Sequence, residues 1–452
     1  MNKFTHRFIA RIIIEAVSPL AVGNGEKSIL TDSLVAKDVN GLPYIPGTSL
    51  TGVIRSLCTH LSDSESIFGS SGDKGAGSEI VFTEAKLLKK DGIAVDGILG
   101  EKDEFLSHFI NLPIRQHVRI EDSGTAANAG KYDEEVVYRG ARFCFEMEML
   151  SDGSNFESFR TILEAIHSPS FRLGGGTRNG FGEVKVTECI IRSLNLTKTT
   201  DLDFYLNKSS NLSIPWNGEK FNAGLHLKNS EYRMELNPEK FFIFGSGFGD
   251  KDADMTPEWE NMISWSDGAA KIISCHIIPA TSVKGAIRHR TLYHLNRLTG
   301  TFADSPNADT EKNIQAVRCL FGYEGDLAND AIPGSVFVSD LSITGNKEKI
   351  FNHIKIDRFT SAPINGALFQ EKVLFNDSLN IMIHLSINDN AVDTALGKCK
   401  LESEKENLIK AFELAMEDIC KGLLPLGGYV NRGHGRFHGT LKKNGIEYSP
   451  EN

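Results

Sequence analysis

The sequence predicts an α+β chain built from two tandem copies of one unit, and three observations predict it. A glycine-rich stretch at 173–186, LGGGTRNGFGEVKV, returns at 426–437 as LGGYVNRGHGRF, with Gly174, Gly175, Gly180 and Gly182 falling on Gly427, Gly428, Gly433 and Gly435. A proline-led segment at 44–57, YIPGTSLTGVIRSL, returns at 278–290 as IPATSVKGAIRHR. Between these landmarks, runs with strand alternation and runs with helical spacing follow one another in the same order in both halves.

Length and composition are compatible with this. A chain of 452 residues holds two domains, and 40% hydrophobic with 24% charged residues is ordinary for a water-soluble fold. The net charge of −10 does not exclude a nucleic-acid partner, because phosphate binding depends on local basic stripes. The seven cysteines are scattered without a CxxC pair, which speaks against structural zinc and a disulfide framework and for buried thiols in a reducing compartment. The apolar run near the N-terminus is interrupted by Arg11 and Glu15, so neither a signal peptide nor a membrane span is expected, and the expected location is the cytoplasm.

Taken in order, 8–17 is rich in isoleucine and reads as a first strand, and 19–27 with Gly23 and Gly25 reads as a loop. In 44–57, Pro46-Gly47 ends an extended piece and Thr48 or Ser49 caps a helix with Leu50, Ile54 and Leu57 on one face. Its N-terminus offers N–H groups to an anion, and Arg55 adds charge. The EIVFTEAKL run from Glu79 is a strand. The segment 112–137 has strand-like flanks and a small, polar middle, the pattern of an extended hairpin or arm without a core of its own. A strand at 142–150, a helix at 156–167 and the glycine loop close the first unit. The stretch 197–224 has weak periodicity and reads as a linker. The second unit repeats these landmarks: FIFGSGFG at 242–249, Lys284 and Arg288 on one helix face, GSVFVSDLSI at 334–343 and an arm at 353–374. In that arm His353 falls on His117 and Glu371 on Glu135. About ten extra residues around 251–267 interrupt the repeat.

The combined motifs resemble the RAMP superfamily of CRISPR-associated proteins, most of all the backbone subunits of type III effector complexes. The order is xIPGTSLxGxIR, then xFG, then the HVRI arm, then GGGxRNGFG. Both halves carry it, so the chain resembles a fusion of two such subunits, as in type III-D-like systems. The resemblance implies a ferredoxin-like (RRM-like) domain at 1–196, a linker at 197–224 and a second such domain at 225–452. Each domain would carry a long thumb hairpin and a glycine-rich loop. It implies guide RNA, single-stranded target RNA and other effector subunits as partners, and no membrane. It also implies metal-dependent cleavage of target RNA with Mg²⁺ or Mn²⁺, through an aspartate in the loop before the IPG motif.

Carried to this sequence, that aspartate is Asp32, acting as catalytic group and metal ligand. In the second unit it is Asp254, which lies as far beyond Gly245 as Asp32 does beyond Gly23, with Asp252 and Asp250 as alternates. The three alternating acids lack the glycine and glutamate of an EF-hand. The RNA contacts expected are Ser49, Arg55, Gly175 and Arg178 in the first unit, and Ser282, Lys284, Arg288, Gly428 and Arg432 in the second. His117 and His353 are given no catalytic role, and the arm aromatics Tyr132 and Phe359 are candidates for base stacking. The competing readings are a guide-RNA-binding scaffold that cuts nothing and a guide-processing endoribonuclease. A nucleotide-binding enzyme is a poor match, because GGGTRNGFG lacks the P-loop lysine and the GxGxxG spacing.

Overall fold

The computed structural model describes every residue except 1–3, 29–30, 71–74, 102, 121–125, 225–228, 267, 303, 324–330, 376–380 and 449–452. It divides into two compact units. Unit 1 is Met1–Thr177, Phe181–His226 and Asn261–Ile273; unit 2 is Arg178–Gly180, Leu227–Glu260 and Ser274–Asn452.

Unit 1 is built on the strand His6–Ala16. Phe8, Ala10, Ile12 and Ile14 alternate along it and are buried on one face of the sheet. Arg142–Ser151 pairs antiparallel on one side and Val184–Asn195 on the other. Ile80–Phe82 and Ala85–Leu87 extend the sheet beyond Arg142–Ser151. Helices Gly47–Leu57 and Phe156–His167 turn Leu50, Ile54, Phe159, Ile162, Leu163 and Ile166 into the same core as the strand's apolar face. Each such side chain contributes about 1.5–3 kcal/mol by leaving water.

Arg11, on the other face of the central strand, is buried and paired with Glu146 at 2.8 Å. Glu146 also accepts from Trp216 Nε1 at 2.6 Å and Lys208 Nζ at 2.5 Å. Those two residues come from 197–224, the stretch with linker composition. It carries a helix, Thr199–Asn207, and a short strand, Glu219–Lys220, paired with Val184–Asn195. Tyr205 also donates to Glu148 at 2.6 Å and the Leu212 N–H to Asp96 Oδ2 at 2.8 Å, so the stretch is anchored mainly by polar contacts to separate carboxylates and its periodicity is weak.

The four core strands of unit 2 follow the same order as those of unit 1, while Leu341–Ile343, the counterpart of Ala85–Leu87, pairs with Ala269–Ile278 in a separate sheet. Asn229–Pro238 lies between Ile381–Asn388 and Phe437–Lys443, and Val336–Val338 pairs outside Ile381–Asn388. Helices Ala280–Thr299 and Lys405–Cys420 cover its core, and Asn307–Phe321 and Asp389–Cys399 are further helices. Both units are thus mixed α+β with antiparallel sheets. Each also carries a separate two-stranded hairpin, Ile114–Ile120 with Ala126–Glu135 and Lys347–Ile356 with Pro363–Phe375. The extra residues of the second repeat run into strand Trp259–Ser266, which pairs with Ala269–Ile278.

The seven cysteines are free thiols and all but Cys399 are buried. Burial pushes Cys144, Cys189, Cys319 and Cys420 up to about 12 and Cys58 to about 11, so these thiols stay protonated and unreactive. Among the described residues no helix is long and apolar enough to cross a membrane.

Candidate nucleic-acid interface

Asp32 and Asp254 are held in the same way. The Asp32 N–H donates to Asp133 O at 3.0 Å, and the Asp133 N–H donates to Asp32 Oδ2 at 3.1 Å. The Asp254 N–H donates to Gln370 O at 3.0 Å, and the Gln370 N–H donates to Asp254 Oδ2 at 2.7 Å. In both cases the next residue makes a parallel bridge to the hairpin, Ser33 to Glu134 and Met255 to Glu371. Each aspartate is therefore an exposed carboxylate with one oxygen fixed at the base of a hairpin. The alternates do other things. Asp250 caps its own turn by accepting from the Asp252 and Ala253 N–H groups, and it pairs with Lys372 at 2.6 Å. The hydrogen bond from Lys372, helped by those backbone donors, lowers its carboxyl to about 2. Asp252 is exposed, with Lys372 4.0 Å away.

The hairpin bases correct one alignment made from sequence. Glu371 matches Glu134, not Glu135, because Glu134 and Glu371 occupy the same bridge position. Glu135 belongs to unit 1's loop: it accepts from Val35 N–H at 2.9 Å and pairs with Lys37 at 2.7 Å. The histidines do correspond. His117 stacks on Tyr132 at 4.8 Å with Glu134 at 3.6 Å, and His353 stacks on Phe369 at 4.8 Å with Glu371 at 2.8 Å. Tyr132 and Phe369 are therefore ring partners of histidines. Phe359, by contrast, is 98% exposed in the turn between the second hairpin's strands.

One substitution separates the two clusters. Phe181 of the first glycine loop packs edge-on against His117. His434, its counterpart in the second loop, donates from Nε2 to the Glu371 carboxylate at 2.9 Å. Arg432 adds a contact to Glu371 at 3.3 Å and lies 4.5 Å from the rings of Phe369 and Tyr429. Glu371 has no solvent exposure, and two imidazoles and a guanidinium surround it. This clasp ties the second hairpin to the second glycine loop. Sequence reasoning missed it, although the phenylalanine-to-histidine exchange at equivalent loop positions was visible.

The glycines of the two loops divide into structural and permissive ones. Gly174 and Gly427 have φ of +85° and +92°, and a Cβ would lie 2.5 Å from Ala21 O and 2.3 Å from Ile243 O. Gly175 and Gly428 have no positive φ, and a Cβ there would meet its nearest neighbour at ordinary distances of 3.6 and 3.5 Å. Their N–H groups are already used, donating to Ala21 O at 2.8 Å and Ile243 O at 2.7 Å. What these two positions offer a strand is thus an absent side chain and not a free donor. Gly174→Ala is expected to destabilise unit 1 by about 2 kcal/mol or more through the left-handed conformation and the clash. Gly175→Ala is expected to fold like wild type and to weaken RNA binding. Urea unfolding and RNA titration of both variants check this pair.

The helix tips differ from the sequence expectation. The caps are Pro46 and Pro279, and neither makes a side-chain capping bond; Ser49 and Ser282 lie in the first turns. In unit 2 the Ala280 N–H donates to Asp340 Oδ1 at 2.7 Å, so a buried carboxylate already stands at that tip. Among the described residues no carboxylate accepts from the first N–H groups of the Gly47–Leu57 helix. Arg55 and Arg288 occupy equivalent positions and are exposed, and no ion pair engages either among the described residues. Lys284 donates to Arg178 O at 2.8 Å and Val336 O at 3.0 Å. Arg178 is exposed as a residue but donates from Nε to Gly334 O at 2.7 Å, and desolvation of its guanidinium lowers its pKa. Lys284 and Arg178 therefore have protein partners, whereas Arg55 and Arg288 stand clear.

Among the described residues no three His, Cys, Asp or Glu side chains are grouped to hold a metal ion. A divalent ion such as Mg²⁺ takes one or two protein carboxylates and completes its shell with water and substrate phosphates, so a sparse site is compatible with it. Unit 1 fits that better than unit 2. Asp133, the partner of Asp32, has a buried Oδ1 without a hydrogen bond. Gln370 takes its place beside Asp254 and spends its amide on Asn352 at 2.7 Å.

Comparison with known proteins bears on both halves. The sequence profile of the RAMP superfamily matches residues 13–185 and again 271–438. A protein of Methanothermobacter thermautotrophicus named CRISPR system Cms endoribonuclease Csm3 is 24% identical over 196 residues, covering 38% of this chain and 77% of that protein.

Proposed function

Because this chain belongs to the RAMP superfamily, we propose that it is a double backbone subunit of a type III CRISPR effector complex. It binds guide RNA and cleaves complementary target RNA at two positions, one per unit. The similarity to a protein named as a CRISPR endoribonuclease supports the complex and the chemistry. The matching strand orders, with two helices on each core, support a ferredoxin-like (RRM-like) reading of each unit, and the two-stranded hairpins support the reading as thumbs. The observation that carries the catalytic part is the identical suspension of Asp32 and Asp254 from the hairpin bases.

In this reading the hairpin interrupts the guide–target duplex and leaves one target phosphate at its base. The backbone N–H of Asp133 or Gln370 fixes one carboxylate oxygen, and the other faces the strand to orient the attacking 2′-hydroxyl. Bound Mg²⁺ or Mn²⁺ would supply charge stabilisation at the phosphate, with Asp32 and Asp133 as its protein ligands in unit 1 and Asp254 in unit 2. Arg55 and Arg288 hold guide phosphates, and Gly175 and Gly428 let the backbone lie close. Ser49, Ser282 and Arg432 line the same path.

The test is reconstitution with guide RNA and mapping of target cuts, with two positions per chain expected. The second reading is a scaffold that binds guide RNA and cuts nothing; the sparse carboxylates of unit 2 favour it for that unit alone. Guide binding has its own prediction. Arg55→Ala and Arg288→Ala are each expected to reduce the slope of log K against log salt by about 0.7–1, uniformly across guide sequences. Titration at several salt concentrations measures it.

A further inference from the structure

Unit 2 contains a cavity of about 650 Å³ that the proposed chemistry does not use. One wall is the loop that carries Asp254, a second is the start and return of the inserted hairpin, and a third is the hairpin strand that holds Asp254. Two aromatic rings stand in it, Phe248 at 56% and Trp259 at 57% exposure. Neither stacks on another ring among the described residues. A row of alternating acidic and basic side chains runs along one side of the cavity. Asp250 lies 2.6 Å from Lys372, Lys372 lies 3.9 Å from Glu348, and Glu348 lies 3.1 Å from His276.

This lining selects among ligands. The volume falls in the range of small-ligand sites. Two carboxylates repel phosphate, so that side is unsuited to the RNA backbone. Aromatic faces stack on any nucleobase, and a row of acceptors and donors matches the edge of a heterocycle, which offers both side by side. Lys372 is two residues beyond Gln370, whose N–H fixes Asp254, so the pocket and Asp254 share one hairpin strand. The first repeat lacks the inserted residues around 251–267 that supply Trp259.

We propose that this pocket takes one unstacked base of single-stranded RNA beside Asp254, and that the second unit's cut thereby depends on base identity while the first unit's does not. The proposal rests on the reading of this chain as an RNA-guided subunit, and its first test does not. The intact chain is titrated with AMP, CMP, GMP and UMP, and tryptophan emission is followed. At least one nucleotide is expected to quench saturably with a Kd of roughly 1 mM, with about fivefold or greater preference over the weakest. Trp259→Ala should remove the quenching. Phe248→Ala, which keeps every tryptophan, should weaken the affinity about tenfold, as expected for loss of one stacking face.

Equal quenching by ribose 5-phosphate, quenching unchanged in Trp259→Ala, or no saturation by any nucleotide overturns the proposal. So does a pocket that answers to arginine amide and not to nucleotides, which would assign it to a cationic side chain of a protein partner. In the assembled complex, targets carrying each of the four bases at the nucleotide next to the second cut should differ in cleavage at that position only. Two mapped cuts with no base dependence would sink the pocket and leave the nuclease reading standing. Nucleotide binding at Trp259 without any cut would do the reverse.

Discussion

Asp32→Asn is expected to remove one cut position in each target bound by the assembled complex, by a factor of about 100 or more, while guide binding and folding stay as in wild type. Asparagine keeps an acceptor for the Asp133 N–H, so the 3.1 Å bond that fixes the loop to the hairpin survives and only the charge is lost. A hundredfold loss corresponds to about 2.7 kcal/mol of transition-state stabilisation. Asp254→Asn should remove the other position, because Gln370 N–H makes the matching bond at 2.7 Å. Asp252→Asn should leave both cuts, since that exposed carboxylate makes only a distant pairing with Lys372. Gel mapping of end-labelled target separates the outcomes. Cleavage persisting at every position in the Asp32→Asn, Asp254→Asn double variant would leave the scaffold reading alone. Asp133→Asn provides a further check. If its orphaned Oδ1 serves an ion, the variant should require more Mg²⁺ or Mn²⁺ for half-maximal cutting in unit 1, with the unit 2 cut unchanged.

Glu371→Ala should have the largest effect on stability. The carboxylate is fully buried and meets His353 at 2.8 Å, His434 at 2.9 Å and Arg432 at 3.3 Å. Removing it leaves His434 and Arg432 without their acceptor and three nitrogen groups facing one another, and breaking a buried pair in this way costs about 3–5 kcal/mol. The loss should appear as a lower urea midpoint for unit 2. It should also abolish the unit 2 cut while sparing that of unit 1, because Glu371 adjoins the residue that holds Asp254. Glu134→Ala, at the matching position, should cost under about 1 kcal/mol. Its pair with His117 is longer, at 3.6 Å, and partly solvated. Burial holds the Glu134 carboxyl above its usual range, which further weakens its claim as a charged partner. Equal losses from the two substitutions would mean that the clasp has no special strength. His434→Phe imports the first loop's residue and should cost about 1.5–3 kcal/mol, the value of one charged hydrogen bond.

The clasp also shows why part of the site could not be read in advance. His353, Glu371, Arg432 and His434 come from two segments some sixty residues apart, and nothing in either segment's periodicity says that they meet. The register error at Glu371 has the same origin. The two hairpins differ in length by one residue between histidine and carboxylate, and only strand pairing shows which glutamate faces the imidazole. The stretch 197–224 reads as a linker because the buried carboxylate that holds its Lys208 and Trp216 is contributed by a distant strand.

By itself the sequence determined the duplication and the order of the landmarks the two copies share, and it placed Asp254 first among the candidate counterparts of Asp32. It could do so because alternation, helical spacing and glycine placement are local properties that each copy states twice. Only the tertiary structure decided which glycines are forced by a neighbouring carbonyl, which arginines remain clear of protein partners, and that Asp340 already stands at one helix tip. Those outcomes depend on groups brought together through space, where desolvation and hydrogen bonding act over a few ångströms without regard to separation along the chain.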